Sequence, residues 1–567
     1  MTDSTLPTPH SDLDDFFGPR KWDLIEDGPR PLGVVVGGSL SKGLEVKLER
    51  DTSTEETAVG RYVVVQGQSR RFFSMITDVM LDATDPRWAK IAPDMRDDFM
   101  RDVMIGTNTF GLLHVSPMLM LEEGATETKP VKTVPGHFSR VVEATAEDVN
   151  KIFGEEQPGY FYVGEPLDMD GIRIYLNLKR FVERSSGIFG KSGTGKTFLT
   201  RMLLAGIIKE NVAVNLVFDM HNEYGWKSQD EAKTEVKGLR QLFPSGKVAV
   251  VTLDPESSRR RGSKVDYDVT IGYDQLEPED VAMLQSLMGL SDVQVGALYA
   301  IHRRLGRNWI GRLLNDERPE EMQNMIDSGL IHEGTLGAIQ RKLSMFQRFG
   351  FLRPNVQDNV VEKLLGFINQ GVNVVLEFGR YGGSLEAYIL VANYLTRRIH
   401  EAYVSRKEAA QGGGRDEPKP LVITIEEAHK FLDPAIASQT IFGTIARELR
   451  KYNVTLLIVD QRPSGIDPEV MSQIGSRVTC LLDDESDIRA VFSGVSGVSE
   501  LRNVLAKLDT RQQALILGHA VPMPVVIRTR DTTSAEYYET LGYTEGDQLQ
   551  KKLDRNKRAL GRDDSGL

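Results

Sequence analysis

The sequence predicts an α/β fold: a mostly parallel sheet covered on both faces, interrupted by a helical insertion and preceded by a small N-terminal β-barrel. Three observations carry this. After residue 185, near-continuous apolar runs alternate with helical stretches, the signature of parallel strands buried on both sides. Before it, apolar runs are short, β-branched and punctuated by Gly, as in small barrels. Between 276 and 368 the apolar residues move to helical spacing.

The 567 residues allow three or four domain-sized units. Apolar content of 40 % and charged content of 26 % are those of an ordinary soluble protein. The net charge is 69 − 81 = −12, so any nucleic acid must be met by a local basic surface. The single cysteine, Cys480, excludes an intrachain disulfide or Cys-cluster metal site and fits a reducing cytoplasm. The acidic, polar N-terminus has no apolar core of a secretory signal. No apolar run reaches the roughly 18 residues of a membrane helix, so no membrane association is expected.

In order, residues 1–30 read as disordered. Residues 31–183 read as the barrel domain, with strands at "PLGVVVGGSL", "LEVKLE", "RYVVVQG" and "RFFSMITDVML", a charged helical interruption at 85–106, and strands again at "GYFYVGEPL" and "IRIYLNL". Residues 184–275 open the α/β core and 369–530 complete it. Its strands are expected at 187–190, 211–219, 247–254, 372–379, 421–427, 454–460 and 477–483, with a hairpin-like pair in 514–530. Residues 276–368 form the insertion: Leu336, Ile339, Leu343 and Phe346 repeat at helical spacing, as do Val281, Leu284 and Leu287. "QGGGRDEPKP" (411–420) is a surface linker, and 531–567 a polar tail.

"GIFGKSGTGKTFLTRMLLAGII" matches G-x-x-x-x-G-K-[ST] at Gly190, Gly195, Lys196 and Thr197, after an apolar strand and before a helix read as amphipathic (Phe198, Met202, Leu203, Ile207). Glycines let backbone N–H groups curl around phosphate oxygens, and the helix N-terminus adds positive potential. Gly190, Ser192, Gly193, Thr194, Gly195, Lys196, Thr197 and Phe198 therefore form the nucleotide-binding candidate. Lys196 reaches the β- and γ-phosphates, and the Thr197 hydroxyl binds Mg²⁺. Such a site needs one acid on a neighbouring strand for the metal's water shell and another to activate the attacking water. "LVITIEEAHKFL" (421–432) ends an apolar strand in Glu426 and Glu427, which take these roles in turn. "FDMHNEYG" places Asp219, His221 and Glu223 beside the loop, with Asp219 a further metal candidate. Gln461, leaving the strand before it, suits a γ-phosphate sensor.

In order, "GKSGTGKT", "DMHNEY", "IEEAHKF", "ARELRKY", "DQRPS" and "SQIGSR" resemble the HerA family of hexameric DNA translocases, related to FtsK-type pumps and type IV secretion ATPases. The likeness spans about residues 30–530. It implies a RecA-like P-loop motor, a homohexameric ring with double-stranded DNA in its channel, and ATP hydrolysed between subunits. It also implies a separate nuclease or antiphage effector. On this resemblance Lys196 and Glu427 are catalytic and Gln461 is the sensor. Arg447, Arg450 and Arg184 match basic positions from which one arginine would enter the neighbour's site. Glu426 departs from the commoner Asp. DNA-contact candidates are the basic stretches 259–262, 302–307 and 347–354.

Two other readings share these motifs. A secretion-type ATPase or nucleotide-controlled scaffold would carry the same loop and acids without DNA stimulation. The EEAH tetrad also resembles two-lobed helicases, but those keep the acids closer to the loop and need a second motor lobe, for which too little chain follows.

Overall fold

The computed structural model describes residues 29–50, 52–85, 109–122, 125, 127–167, 169–229, 235–315, 320–414, 416–438, 440–448, 451–495, 501–509 and 512–542. The disorder expected before residue 29, most of the helical interruption at 85–106, and the tail beyond 542 lie outside these. The chain divides into two compact units, Met1–Val149 and Asn150–Leu567.

In the first unit, antiparallel strands run in the order Gly43–Leu48, Pro31–Ser39, Arg140–Glu143, Tyr62–Gln66, Arg70–Ala83 and Thr109–Glu122. Thr109–Glu122 pairs back onto Gly43–Leu48 and closes a barrel, so these strands present no open edge. Val46, Val63, Val65, Ile76, Leu113, Val115 and Val141 fill its core.

The second unit holds one twelve-stranded sheet. Eight parallel strands come first: Tyr267–Asp268, Val248–Thr252, Asn373–Glu377, Val214–Asp219, Leu421–Glu426, Val454–Asp460, Ser186–Phe189 and Ser476–Thr479. Four antiparallel strands continue it: Gln513–Gly518, Val525–Thr529, Tyr160–Pro166 and Ile174–Asn177. The expected parallel α/β fold is present. The Leu421–Glu426 and Val454–Asp460 strands are buried along their whole length, which explains their unbroken apolar character.

Two expectations are corrected here. Strands Tyr160–Pro166 and Ile174–Asn177, assigned to the barrel domain, pair into the twelve-stranded sheet. The boundary falls at residue 150 rather than 184. Helix Lys196–Glu210 is not amphipathic: every residue from Leu199 to Ile208 is buried. The added strand is the reason. A Cβ on Gly206 would meet the Phe161 ring at 2.7 Å, so the glycine admits an aromatic from that strand onto the outer face of the helix.

Between Pro278 and Asn369 the chain is largely helical. Leu336, Ile339 and Leu343 are buried on helix Glu333–Leu343. The 281–287 repeat is split between two short helices, and Leu287 is exposed. Fully buried Trp309 donates its indole N–H to the Leu276 carbonyl (2.9 Å). Arg397, on the long helix Leu385–Gln411, ties the insertion to the core by pairing with Glu277 (2.7 Å) and buried Asp280 (2.9 Å). Among the described residues no helix is long and apolar enough to cross a membrane.

Candidate active site

A cavity of about 550 Å³ opens where the parallel strands end. Ser192, Gly193, Thr194, Gly195, Lys196, Thr197 and Phe198 line it together with Glu426, Glu427 and Gln461. The loop leaves strand Ser186–Phe189 through Gly190, at φ 154°, where a Cβ would lie 2.8 Å from both Cys480 Cβ and Thr194 Oγ1. Gly190 thus lies beneath the loop and is not part of the cavity wall. Gly193 and Gly195 also take positive φ. Lys196 Nζ donates to the Lys191 carbonyl (2.9 Å). Burial lowers its pKa, opposed by Cys480, Glu427, Asp460 and Glu426.

The two adjacent acids share one cavity because the strand ends between them. Glu426 is the last strand residue, and Glu427 has the left-handed conformation, φ 49°. That turn undoes the alternation of side chains along a strand, bringing both carboxylates to the same wall. The Tyr388 hydroxyl pins the turn, donating to the Glu426 carbonyl and accepting from its N–H (both 3.0 Å). Glu426 Oε1 accepts from the Tyr224 hydroxyl (2.8 Å), whereas buried Oε2 has no partner. Burial pushes the Glu426 carboxyl up to about 8, helped by Asp219, Glu223 and Glu427. A half-satisfied buried carboxylate among other acids suits a cation. Among the described residues no group of three or more His, Cys, Asp or Glu forms a self-contained metal site. A cation here would therefore complete its shell with Thr197, water and ligand oxygens, the usual habit of a small hard ion.

Asp219 does a different job from the one expected. It is fully buried and does not line the cavity. Its carboxylate accepts the backbone N–H groups of Glu223 (2.8 Å), Tyr224 (2.9 Å) and Gly225 (3.2 Å). It therefore shapes the turn that carries His221 and Glu223 to the cavity wall. Burial, then the charge of Glu377, pushes it up to about 7.

Gln461 Nε2 lies 3.4 Å from Glu427 Oε2, so the expected sensor touches the expected base. Asp460, just before it, went unassigned from sequence although the "DQRPS" motif contains it. Its buried carboxylate accepts the His429 N–H (2.7 Å), faces His429 Nδ1 (3.0 Å) and accepts the Arg462 N–H (2.6 Å). The EEAH turn and the DQRPS loop are thus joined through one acid.

Of the three arginines, Arg447 and Arg184 do not line this cavity. Arg447 contacts Glu469 (3.2 Å) and Asp467 (3.7 Å) of its own chain. Arg184 is exposed where strand Ser186–Phe189 begins, the end opposite the loop. Arg450 lies outside the described residues. Arg477 of "SQIGSR" is buried and donates to the carbonyls of Met471 and Val491, a structural role. Sequence reasoning missed the cavity's other flank, Gln512, Gln513 and Thr529–Thr533, because Thr529 and Arg530 read only as the end of a hairpin-like pair and Asp531–Thr533 as the start of a polar tail.

A phosphate-type loop at the edge of a parallel sheet, facing a strand-end acid pair and a glutamine, defines a P-loop nucleotide hydrolase of RecA-like architecture. Residues 161–399 match the model of the HerA helicase central domain, and 32–88 that of the HAS barrel domain. The chain is 23 % identical over 526 residues to the DNA double-strand break repair helicase HerA of Sulfurisphaera tokodaii, covering 88 % of this chain and 92 % of that one. It is 25 % identical over 508 residues to the protein of the same name from Saccharolobus solfataricus, covering 88 % and 91 %. Among solved structures, VirB4 of Thermoanaerobacter pseudethanolicus aligns at a TM-score of 0.43 and 12 % identity, covering 68 % of this chain and 99 % of that one. The chain is similar to HerA-type P-loop motors over these spans and is an ATP hydrolase.

Proposed function

We propose that this protein is an ATP-dependent double-stranded DNA translocase or helicase. It would work in the cytoplasm as a homohexameric ring with DNA in its channel, alongside a separate nuclease or effector in DNA end processing or antiphage defence. The observation that carries the motor reading is the convergence of Glu426, Glu427 and Gln461 on the loop at 192–198. The DNA reading draws on the relatives, named as DNA double-strand break repair helicases.

In this reading Thr197 and, through water, Glu426, whose buried Oε2 has no partner, would hold Mg²⁺. When bound, it would supply charge neutralisation at the terminal phosphates. Glu427 orients and deprotonates the attacking water. Gln461, touching Glu427, carries the loss of the γ-phosphate into the following loop. Lys196 cradles the terminal phosphates. A neighbouring subunit supplies an arginine to complete the charge stabilisation. Arg184, exposed, is freer to do so than Arg447, which is tied to two acids of its own chain.

ATP turnover measured with and without linear duplex DNA tests this. A several-fold stimulation by duplex is expected. Turnover indifferent to DNA would overturn the translocase and favour a secretion-type ATPase or scaffold.

A further inference from the structure

We propose that the nucleoside half of the nucleotide is recognised by the C-terminal strand pair and the segment that follows it, with Arg530 donating to an acceptor on the ribose or base. This rests on the P-loop reading above and deepens it.

Topology sets the direction. Across the sheet, the acids and Gln461 end the two strands on one side of Ser186–Phe189. On the other side come Ser476–Thr479, Gln513–Gly518 and Val525–Thr529. Thr479 pairs with Leu515, and Gln513 with Arg528. The antiparallel pair therefore begins and ends at the same sheet edge as the loop. Strands lie about 4.8 Å apart, so Glu426 ends a strand about 10 Å to one side of the loop strand and Thr529 ends one about 14 Å to the other. A triphosphate whose terminal group meets the acids must send its nucleoside away from them. That direction leads to Gln512, Gln513 and Thr529–Thr533, which share the cavity with the loop.

Arg530 supplies the second, independent observation. It is 7 % exposed and lines the cavity. Its guanidinium is held over the Tyr162 ring (4.6 Å) and the Tyr537 ring (5.2 Å), and Nη2 donates to Thr540 Oγ1 (2.8 Å). Nη1 is buried and has no hydrogen-bond partner. Glu536 is 3.9 Å away but largely exposed. A guanidinium has only donors, so the partner must be an acceptor, such as a ribose oxygen or ring nitrogen. Burying a charged donor unpaired is costly, and a bound nucleoside relieves it.

The test compares equilibrium binding of ATP and of inorganic tripolyphosphate, both with Mg²⁺, to the full chain. Arg530→Gln should weaken ATP about ten- to hundredfold, the loss of one hydrogen bond from a charged donor, and leave tripolyphosphate unchanged. Because Arg530 is packed between tyrosines, Thr533→Trp is the second variant. Thr533 is exposed on the cavity wall, so a bulky ring there should obstruct ATP and spare tripolyphosphate. Equal weakening of both ligands by Arg530→Gln, or unchanged ATP binding in both variants, overturns the proposal. Failure of the unmodified chain to bind either ligand would instead overturn the P-loop reading itself.

Discussion

Glu427 sits in a left-handed conformation that costs a residue with a Cβ roughly 1–2 kcal/mol. Strain kept at a site is paired with function there: the turn puts two neighbouring carboxylates in one cavity while only Glu426 is fully desolvated. Glu427→Gln preserves the shape and removes the proposed base. It should retain nucleotide binding and lose about 10²–10⁴ in turnover, read by paired binding and ATPase assays; wild-type turnover would unseat the assignment. His429 offers a pH test. Its hydrogen bond to Asp460 raises its pKa above the usual value, against the effect of burial. A histidine that holds its proton more tightly when folded stabilises below its unfolded pKa of about 6.5 and loses that contribution as pH climbs through the folded value. The Tm gap between wild type and His429→Gln should be widest near pH 6 and narrow toward pH 9; a gap constant with pH would mean the pair is not ionic. The residues of the loop, both acids and Gln461 were legible because their chemistry is encoded locally, in order along the chain. Asp219 was not. An acid after a strand reads the same whether it holds a metal or, as here, three backbone N–H groups.

At the scale of elements, buried parallel strands announced themselves as apolar runs, and the observed Leu421–Glu426 and Val454–Asp460 match the expected 421–427 and 454–460 closely. Strand Tyr160–Pro166 misled for a physical reason. It alternates buried and half-buried residues, as a barrel strand does, and nothing local states which sheet it joins. The insertion depends on a less visible contact. Arg397 grips Asp280, whose side chain is fully buried, and also contacts Glu277. Burial pushes the Asp280 carboxyl up, and Arg397 opposes this. Arg397→Ala strands that carboxylate and should cost about 3 kcal/mol, seen as a lower midpoint in denaturant. Asp280→Asn combined with Arg397→Met, which removes both charges, should recover part of it.

At the scale of the whole molecule, a net charge of −12 repels DNA, so contact must come from confined basic surfaces. Arg259 and Arg260, Arg303, Arg304 and Arg307, and Arg348 and Arg353 are exposed, whereas Arg261 is drawn in to buried Glu377 (2.6 Å). If these track phosphates, DNA-stimulated turnover should fall steeply with salt, and neutralising Arg303 and Arg304 should lower the log–log slope by about 1–2. A flat dependence would count against phosphate tracking.

The packing of Phe161 on Gly206 changes what counts as the smallest motor. A fragment begun at residue 184 would keep every quoted motif from the phosphate loop onward. It would also leave strand Val525–Thr529 with a bare edge and open a groove along the helix that carries Lys196 and Thr197. Bare edges invite pairing with other chains. The catalytic signature and the folding unit therefore have different starting points: the first opens at Gly190 and the second upstream of it, near Asn150.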